Sequence, residues 1–335
     1  MEGAVGIGID PLDVAILREM YRTRRVTVAG IDPRLNVTYL ARHLKTSRAR
    51  ITRRLALWSR SGFLRRFDVW PNPALLHLRG WTVNVRVADR LEKPKVLERL
   101  GAVDGVVSAV EFLGEWLSVQ FVAPDDAASA RRVELLRHLQ GVAEVDRPAA
   151  WREFEPTAPL SPLDLRIVKA LRDRPRGTLT EIARAVGISM RTMTTRYERL
   201  VDGWAVWFVP VFDFTQLPVP IVNLNVWLSD PAAADRVVRT VMAKFPWTLE
   251  FGWGGLGPTV RDDYLVLFVT LPSTGAIEDL ERLVRGIPGT RETEPVVMLR
   301  THSFPEWFNG LLAQLSPAAA PAPTRAGPRR RAVRG

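Results

Sequence analysis

The sequence contains two copies of one pattern, and this repeat constrains the fold more than any other feature. PLDVAIL, which begins at Pro11, recurs as PLDLRIV from Pro162, and KTSRARITRRLALW around Ser47 recurs as GISMRTMTTRYERL around Ser189. Three later pairs keep the same order and an offset of about 140–150 residues: WTVNVRVAD with IVNLNVWLSD, WLSVQFVAP with YLVLFVTLP, and AEVDRPAAWR with RETEPVVMLR. Such a repeat indicates one structural unit that folds twice. We therefore predict a tandem duplication, with residues 150–161 as the linker.

Each copy opens with a pattern that is typical of three helices. The apolar spacing predicts helices over residues 11–21, 36–44 and 47–60 in the first copy, and over 162–172, 178–186 and 189–201 in the second. A short turn separates the second helix from a basic third helix, which is typical of a helix-turn-helix. The segments FLRRFDVW and AVWFVPVFDF that follow are expected to pair as a wing.

The rest of each copy alternates strands and helices. The first copy predicts strand 81–88, helix 93–100, strands 105–112 and 116–123, helix 127–139 and strand 143–151, and the second copy repeats this order over residues 221–300. The order βαββαβ is that of the ferredoxin-like fold. We therefore predict an α+β chain in which two winged helix-turn-helix domains alternate with two ferredoxin-like effector or dimerisation domains. The predicted boundaries are 8–72, 78–152, 160–214 and 215–303, with a short helix and a disordered basic tail at 304–335.

The third helix of each copy carries the residues that point to a function. Ile51, Leu55 and Trp58 form one apolar face in the first copy, as Met193 and Leu200 do in the second, so the arginines and threonines on the other side face solvent. Arg and Thr side chains can contact base edges and phosphates. The residues predicted to bind DNA are Ser47, Arg48, Arg50, Thr52, Arg53, Arg54 and Arg60 in the first copy and Ser189, Arg191, Thr192, Thr195 and Arg196 in the second.

The charge distribution supports an anionic partner. Residues 34–66 contain ten Lys or Arg and no Asp or Glu, whereas residues 172–204 contain seven Arg and four acidic residues. Solvated helix faces usually interleave both signs, so a stretch without an acid indicates a polyanion such as double-stranded DNA. Because the first copy is the more basic, it is expected to supply more of the binding energy.

The composition excludes several other classes of protein. The chain has no cysteine, and its four histidines lie in separate elements without metal-ligand spacing, so neither a metal site nor a cofactor is expected. No apolar run is long enough to cross a bilayer, and the N-terminus is too acidic for a secretory signal. A cytoplasmic location is therefore expected, and the net charge of +11 is consistent with an anionic partner.

At the third helices the chain resembles the Lrp/AsnC family of bacterial and archaeal regulators. The second copy has Gly187-Ile188-Ser189, then Arg196, Leu200 and Gly203; the first has Thr46-Ser47, then Arg54, Trp58 and residues 62–66, GFLRR. The resemblance covers most of residues 8–303, twice. It implies helix-turn-helix and βαββαβ domains, a two-fold arrangement that one duplicated chain forms as an intramolecular pseudo-dimer, and in many members an amino acid or other small-molecule effector.

The resemblance also places an effector site and shows where this chain departs from the family. Members commonly carry Gly-x-x-Asp between the second and third strands of the βαββαβ unit. The first copy has Gly114 and Trp116 there without the Asp, and the second has a longer glycine-rich loop before Asp262, Asp263 and Tyr264. The resemblance therefore implies effector contacts at these five residues. The glycine-rich loop does not connect a strand to a helix, so it is not interpreted as a phosphate-binding loop.

The sequence is also consistent with two other functions. Siroheme decarboxylases resemble the same family, and residues 62–67 with His77 are loosely similar to them. A second alternative is an effector-sensing partner protein that no longer binds DNA. The acidic residues Glu198 and Asp202 on the third helix of the second copy are consistent with it. Shared fold alone is weak support for shared chemistry, so we expect a regulator that is not an enzyme.

Overall fold

The computed structural model describes residues 10–22, 37–151, 156, 159–175, 177–245, 248–249, 259–261 and 263–315. In the first copy, three helices and a strand precede a βαββαβ unit. The elements are α1 (Pro11–Arg22), α2 (Val37–His43), α3 (Arg48–Arg60), β1 (Leu64–Pro71), β2 (Arg79–Val87), α4 (Lys93–Gly101), β3 (Val106–Phe112), β4 (Trp116–Ala123), α5 (Asp126–Arg137), β5 (Val142–Val145) and β6 (Ala149–Ala150).

The second copy repeats this order. Its elements are α6 (Pro162–Asp173), α7 (Leu179–Val186), α8 (Met190–Asp202), β7 (Val206–Phe212), β8 (Ile221–Leu228), α9 (Ala234–Lys244), β9 (Thr248–Leu249), β10 (Thr259–Arg261), β11 (Tyr264–Thr270), α10 (Ala276–Arg285) and β12 (Thr290–Ser303), followed by α11 (Glu306–Leu315). The predicted helices lie within a few residues of their expected positions. The predicted strand over 143–151 is divided into β5 and β6, because Pro148 has no N–H to donate to the ladder.

The turn before each third helix needs one residue in the left-handed region. Gly187 has φ +75° and closes α7, since its backbone N–H donates to the carbonyl of Ala183. Lys45 occupies the equivalent position in the first copy with φ +49°. Glycine adopts this conformation at little cost, whereas lysine is strained in it. The first helix-turn-helix therefore keeps the turn geometry of the second without its glycine.

Both βαββαβ units have the strand order of a ferredoxin-like fold, with the last strand beside the first. The first unit runs β5-β2-β4-β3 and the second runs β12-β8-β11-β10. Val83 and Val85 on β2 join the core under α4 and α5, and Val222 and Leu224 on β8 join the core under α9 and α10. Since side chains alternate along a strand, the residues between them lie on the opposite face of the sheet.

The two copies are joined by shared strands at two places. The first half of the long strand β12 pairs with β8, and its second half pairs with β3 of the other copy, so that β12 joins the sheets of the two copies edge to edge. Polar contacts lie at this seam: Glu111 on β3 lies 3.0 Å from the His302 imidazole and 3.4 Å from the Arg300 guanidinium.

The expected wing segments also link the two copies. Each copy contributes one strand, and β1 pairs with β7 in antiparallel register, with Val69 opposite Phe208. The wing strands therefore pair with each other and bring the two helix-turn-helix units together. Helix α11 completes the arrangement, because Phe308 packs in the core beside Trp70 and Leu312 packs in the core of the second helix-turn-helix. None of the helices within the described ranges is long and apolar enough to span a membrane.

Candidate nucleic-acid interface and ligand pocket

Helix α3, the predicted recognition helix of the first copy, is held in place by a buried carboxylate on α1. Asp13 is fully buried. Its carboxylate accepts hydrogen bonds from Nε of Arg54 at 2.7 Å and from the Trp58 indole N–H at 2.8 Å, and it forms an ion pair with Nη2 of Arg54. Ile51 and Trp58 fill the core beneath the helix. These contacts decide which side of α3 faces solvent.

The solvent face of α3 carries most of the predicted DNA-binding residues of the first copy. Ser47 caps the helix, because its Oγ accepts from the Arg50 N–H at 3.2 Å. The side chains exposed on or beside this face are Ser47, Arg48, Arg50, Thr52, Arg53 and Arg60. Four of these six are arginines, and no acidic side chain stands among them. The face is therefore suited to phosphate and base-edge contacts.

Helix α8, the predicted recognition helix of the second copy, is positioned by the equivalent carboxylate on α6. Asp164 is fully buried and forms an ion pair with Arg196, whose Nη1 lies 3.2 Å from Oδ1, and a second ion pair with Arg199. Burial raises the pKa of Asp164, but the hydrogen bonds from Ser161 and Arg199 outweigh it and hold the pKa below its ordinary value. The carboxylate therefore stays charged and pins α8 to α6.

The solvent face of α8 is less basic than that of α3. Arg191 and Thr195 are exposed, and Ser189 caps the helix by accepting from the Thr192 N–H at 3.2 Å. The Thr192 hydroxyl is half-buried and lies 2.9 Å from the Ser189 hydroxyl. Arg191 and Thr195 are thus the most available of the predicted contacts in this copy.

Two predicted DNA contacts have a different role in the structure. Arg54 and Arg196 were expected on the DNA face, but both are turned to the buried carboxylates of Asp13 and Asp164. The reason is helical geometry: each arginine lies three residues after a buried residue, Ile51 or Met193, and therefore beside the apolar face. The repeated motif PLD carries the Asp in both copies, and this repetition was the signal that could have identified both ion pairs.

The second candidate site is a cavity of about 330 Å³ that lies between the sheets of the two copies. It is formed by the sheet faces that point away from helices α4, α5, α9 and α10. Its lining comes from both copies: Thr82, Asn84, Val110, Phe112, Trp116, Ser118, Asp146, Arg147 and Ala149 from the first, and Asn223, Asn225, Trp227, Tyr264, Val266, Phe268, Glu294 and Val296 from the second.

The cavity includes two of the five predicted effector residues. Trp116 and Tyr264, which occupy equivalent positions in the two copies, both line it. Gly114 lies in the turn between β3 and β4 with φ +90°, and neither it nor Asp263 is part of the lining. Asp263 is half-buried, 4.0 Å from Arg291, and Asp262 lies outside the described residues.

Each copy contributes one pair of an asparagine amide and a carboxylate to this cavity, and neither pair was predicted from the sequence. Asn84 Nδ2 donates to Asp146 Oδ2 at 3.2 Å, and Asn225 Nδ2 donates to Glu294 Oε2 at 3.1 Å. Asn225 also accepts from the Tyr264 hydroxyl at 2.7 Å. The repeat contains the signal, since NV in WTVNVRVAD aligns with NV in IVNLNVWLSD, and Asp146 aligns with Glu294.

Comparison with known protein families finds a match to part of the chain. The model of the AsnC-type helix-turn-helix domain matches residues 160–201, which span α6, α7 and α8. This segment is an AsnC-type helix-turn-helix domain. The predicted resemblance to the Lrp/AsnC family is thereby confirmed, and an AsnC-type domain is a DNA-binding element of regulators. No curated protein matches the chain.

Solved structures extend the comparison to the fold of the whole chain. The siroheme decarboxylase NirDL is 15% identical, covers 92% of this chain and 100% of its own, and has a TM-score of 0.50. AsnC from E. coli is 16% identical with a TM-score of 0.30 and covers 46% of this chain and 99% of its own. An AsnC-family regulator from Agrobacterium tumefaciens is 23% identical with a TM-score of 0.31, covering 47% of this chain and 98% of its own.

The similarity to NirDL corrects one expectation. From the sequence we expected the chain not to be an enzyme. That expectation is wrong, because the structural similarity that spans 92% of the chain is to a decarboxylase. At 15% identity the similarity concerns the fold. The fold that this chain shares with NirDL is thus one that also supports an enzyme.

Proposed function

We propose that this chain is a sequence-specific regulator of transcription that binds double-stranded DNA through α3 and α8, with a small-molecule effector in the cavity between the two sheets. The observation that carries the proposal is the solvent face of α3. Its exposed arginines and a threonine project from a capped helix. The helix lies within residues 34–66, which contain no acidic residue. The AsnC-type domain at residues 160–201 supports the same role for α8.

Electrostatics favour nucleic acid over a protein partner at this surface. Each arginine that contacts a phosphate releases condensed counterions, so the affinity depends steeply on salt. Sequence preference requires side chains that reach base edges in the major groove, and Arg50 and Arg53 on the exposed face have the length and the donors for guanine. Arg48 and Arg60, near the two ends of α3, are placed to contact the backbone.

The joining of the two copies supports a pseudo-dimer that presents two recognition helices, α3 and α8. Helix-turn-helix regulators commonly bind as two-fold dimers whose recognition helices lie roughly 34 Å apart, one turn of DNA. In this chain the pairing of β1 with β7 and of β3 with β12 unites both copies in one molecule. We therefore infer that one chain contacts two half-sites. A cytoplasmic location belongs to this proposal, as does further self-association.

The test is binding to duplex DNA that the wild-type protein enriches from a random pool. Replacement of Arg50 and Arg53 by alanine is expected to abolish preference for the enriched sequence while the circular dichroism spectrum stays unchanged, since both side chains are exposed. The matched control replaces Arg131 and Arg137, which are exposed on α5, and removes the same charge elsewhere. Wild-type preference in the Arg50 and Arg53 variant would refute the assignment of α3.

A second candidate function is decarboxylation of siroheme or a related tetrapyrrole. The observation that favours it is the fold shared with NirDL over 92% of the chain. Purified protein is incubated with siroheme under anaerobic conditions, and the products are separated by chromatography with mass detection. Loss of carboxyl mass that requires the protein would establish the enzyme. Unchanged siroheme, with no haem-type absorbance in the purified protein, would leave this candidate without support.

A further inference from the structure

The cavity between the two sheets carries an excess of negative charge. Two carboxylates, Asp146 and Glu294, and one guanidinium, Arg147, line it. The carboxylates come from equivalent positions of the two copies, and each is held by the amide of an asparagine on the first strand of its own sheet. Within the described part of the chain, the second oxygen of each carboxylate makes no hydrogen bond. Both oxygens are therefore available to a donor from a ligand.

The carboxylate of Asp146 is placed where a cation would stabilise it. Burial raises its pKa above the ordinary value, against the lowering effect of the hydrogen bond from Asn84. A half-buried carboxylate with one amide donor is incompletely compensated for its lost hydration. An ammonium group supplies both the missing charge and the missing hydrogen bonds, and it suits this site better than a carboxylate or a phosphate.

The lining of the cavity also includes five aromatic residues. Phe112, Trp116, Trp227, Tyr264 and Phe268 line it, and the rings of Trp227 and Tyr264 lie 5.3 Å apart at 50°. Aromatic faces attract cations and pack against flat apolar groups. A volume of about 330 Å³ is at the small end of ligand pockets, which fits a ligand with one or two rings.

We propose that this cavity binds an arylalkylamine: an organic cation whose ammonium group is held by Asp146 and Glu294 and whose ring packs against Trp227 and Tyr264. The arylalkylamine is the ligand class of the proposed effector site, and only its regulatory role rests on the proposed function. Binding of the amine itself is measured without DNA. Failure to bind DNA would therefore leave this inference standing, and failure to bind amines would leave the DNA-binding proposal standing.

The test is isothermal titration calorimetry of the full chain with tryptamine and phenethylamine. The charge comparison uses indole-3-propionate, in which a carboxylate replaces the ammonium, and tryptophan, which carries both groups. We expect the amines to bind more tightly than tryptophan and the acid not to bind measurably. Tighter binding of tryptophan or of the acid would show that Arg147 directs recognition, and it would overturn the proposal, as would the absence of heat with both amines.

Variants locate the site. Asp146→Asn and Glu294→Gln keep the shape of the side chain and remove the charge, and each is expected to weaken amine binding about tenfold, the loss that accompanies one charge-assisted hydrogen bond. The matched control is Glu292→Gln, which removes an exposed carboxylate two residues from Glu294 and outside the cavity lining. Amine affinity that is unchanged in the first two variants, or equally reduced in the control, would contradict the assignment of the carboxylates.

Discussion

Two neighbouring arginines on α3 are expected to have different roles, Arg53 in DNA binding and Arg54 in stability. Arg53 is exposed, whereas the side chain of Arg54 is only 17% exposed and pairs with the buried Asp13. Arg54→Ala leaves that carboxylate with the Trp58 indole and the Asp10 backbone N–H as its remaining donors. Breaking a buried ion pair costs about 3–5 kcal/mol, and the partial exposure of Arg54 places the cost near 3 kcal/mol.

A loss of about 3 kcal/mol changes the equilibrium between the closed and the open helix-turn-helix by roughly a hundredfold. Because domains are stable by only about 5–15 kcal/mol, the loss is large for this unit. Hydrogen exchange with mass detection resolves it by segment. Peptides from α1, α2 and α3 are expected to exchange about a hundred times faster in Arg54→Ala, while peptides from β8 and β11 stay unchanged.

Arg53→Ala is the matched control, since it removes the same side chain one position earlier. It is expected to leave exchange of α1–α3 at the wild-type rate and to weaken specific DNA binding. Asp13→Asn is expected to accelerate exchange as Arg54→Ala does, because either change breaks the pair. Wild-type exchange in Arg54→Ala, or equal acceleration in Arg53→Ala, would refute the assignment of Arg54 to structure and of Arg53 to the DNA face.

Two further predictions concern the differences between the copies and the effect of pH. Since α3 is more basic than α8, Arg53→Ala is expected to reduce DNA affinity more than Thr195→Ala does. The footprint on the operator is expected to be non-palindromic, because the two helices present different side chains. A palindromic footprint with equal losses of affinity would contradict this. The pKa of Asp164 is lowered by folding, so its contribution to stability is complete above the unfolded pKa and declines as the pH falls through the folded pKa. The unfolding free energy is therefore expected to fall as the pH drops below about 5, and less steeply in Asp164→Asn; identical slopes in acid titrations would count against the ion pairs of Asp164.

The sequence by itself determined the features that depend on neighbouring residues. The helices, the strands and their repeated order follow from apolar periodicity, and the caps at Ser47 and Ser189 follow from the preference of serine for the start of a helix. The exposure of Arg50 and Arg53 follows from the position of Ile51 on the same helix. Each of these depends on contacts within one or two helical turns, which is why they could be predicted without the fold.

Only the tertiary structure decided what distant residues do together. Arg54 meets Asp13 across 41 positions, and Glu111 meets His302 across 191. The cavity exists because β12 continues from one sheet into the next and the free faces of both sheets enclose a common space. The positions of Asp146 and Glu294 depend on strand pairing and register, since a shift by one residue would move a side chain to the other face. Local patterns contain no information about which edges meet, so the sequence indicated Trp116 and Tyr264 but not the rest of the cavity lining.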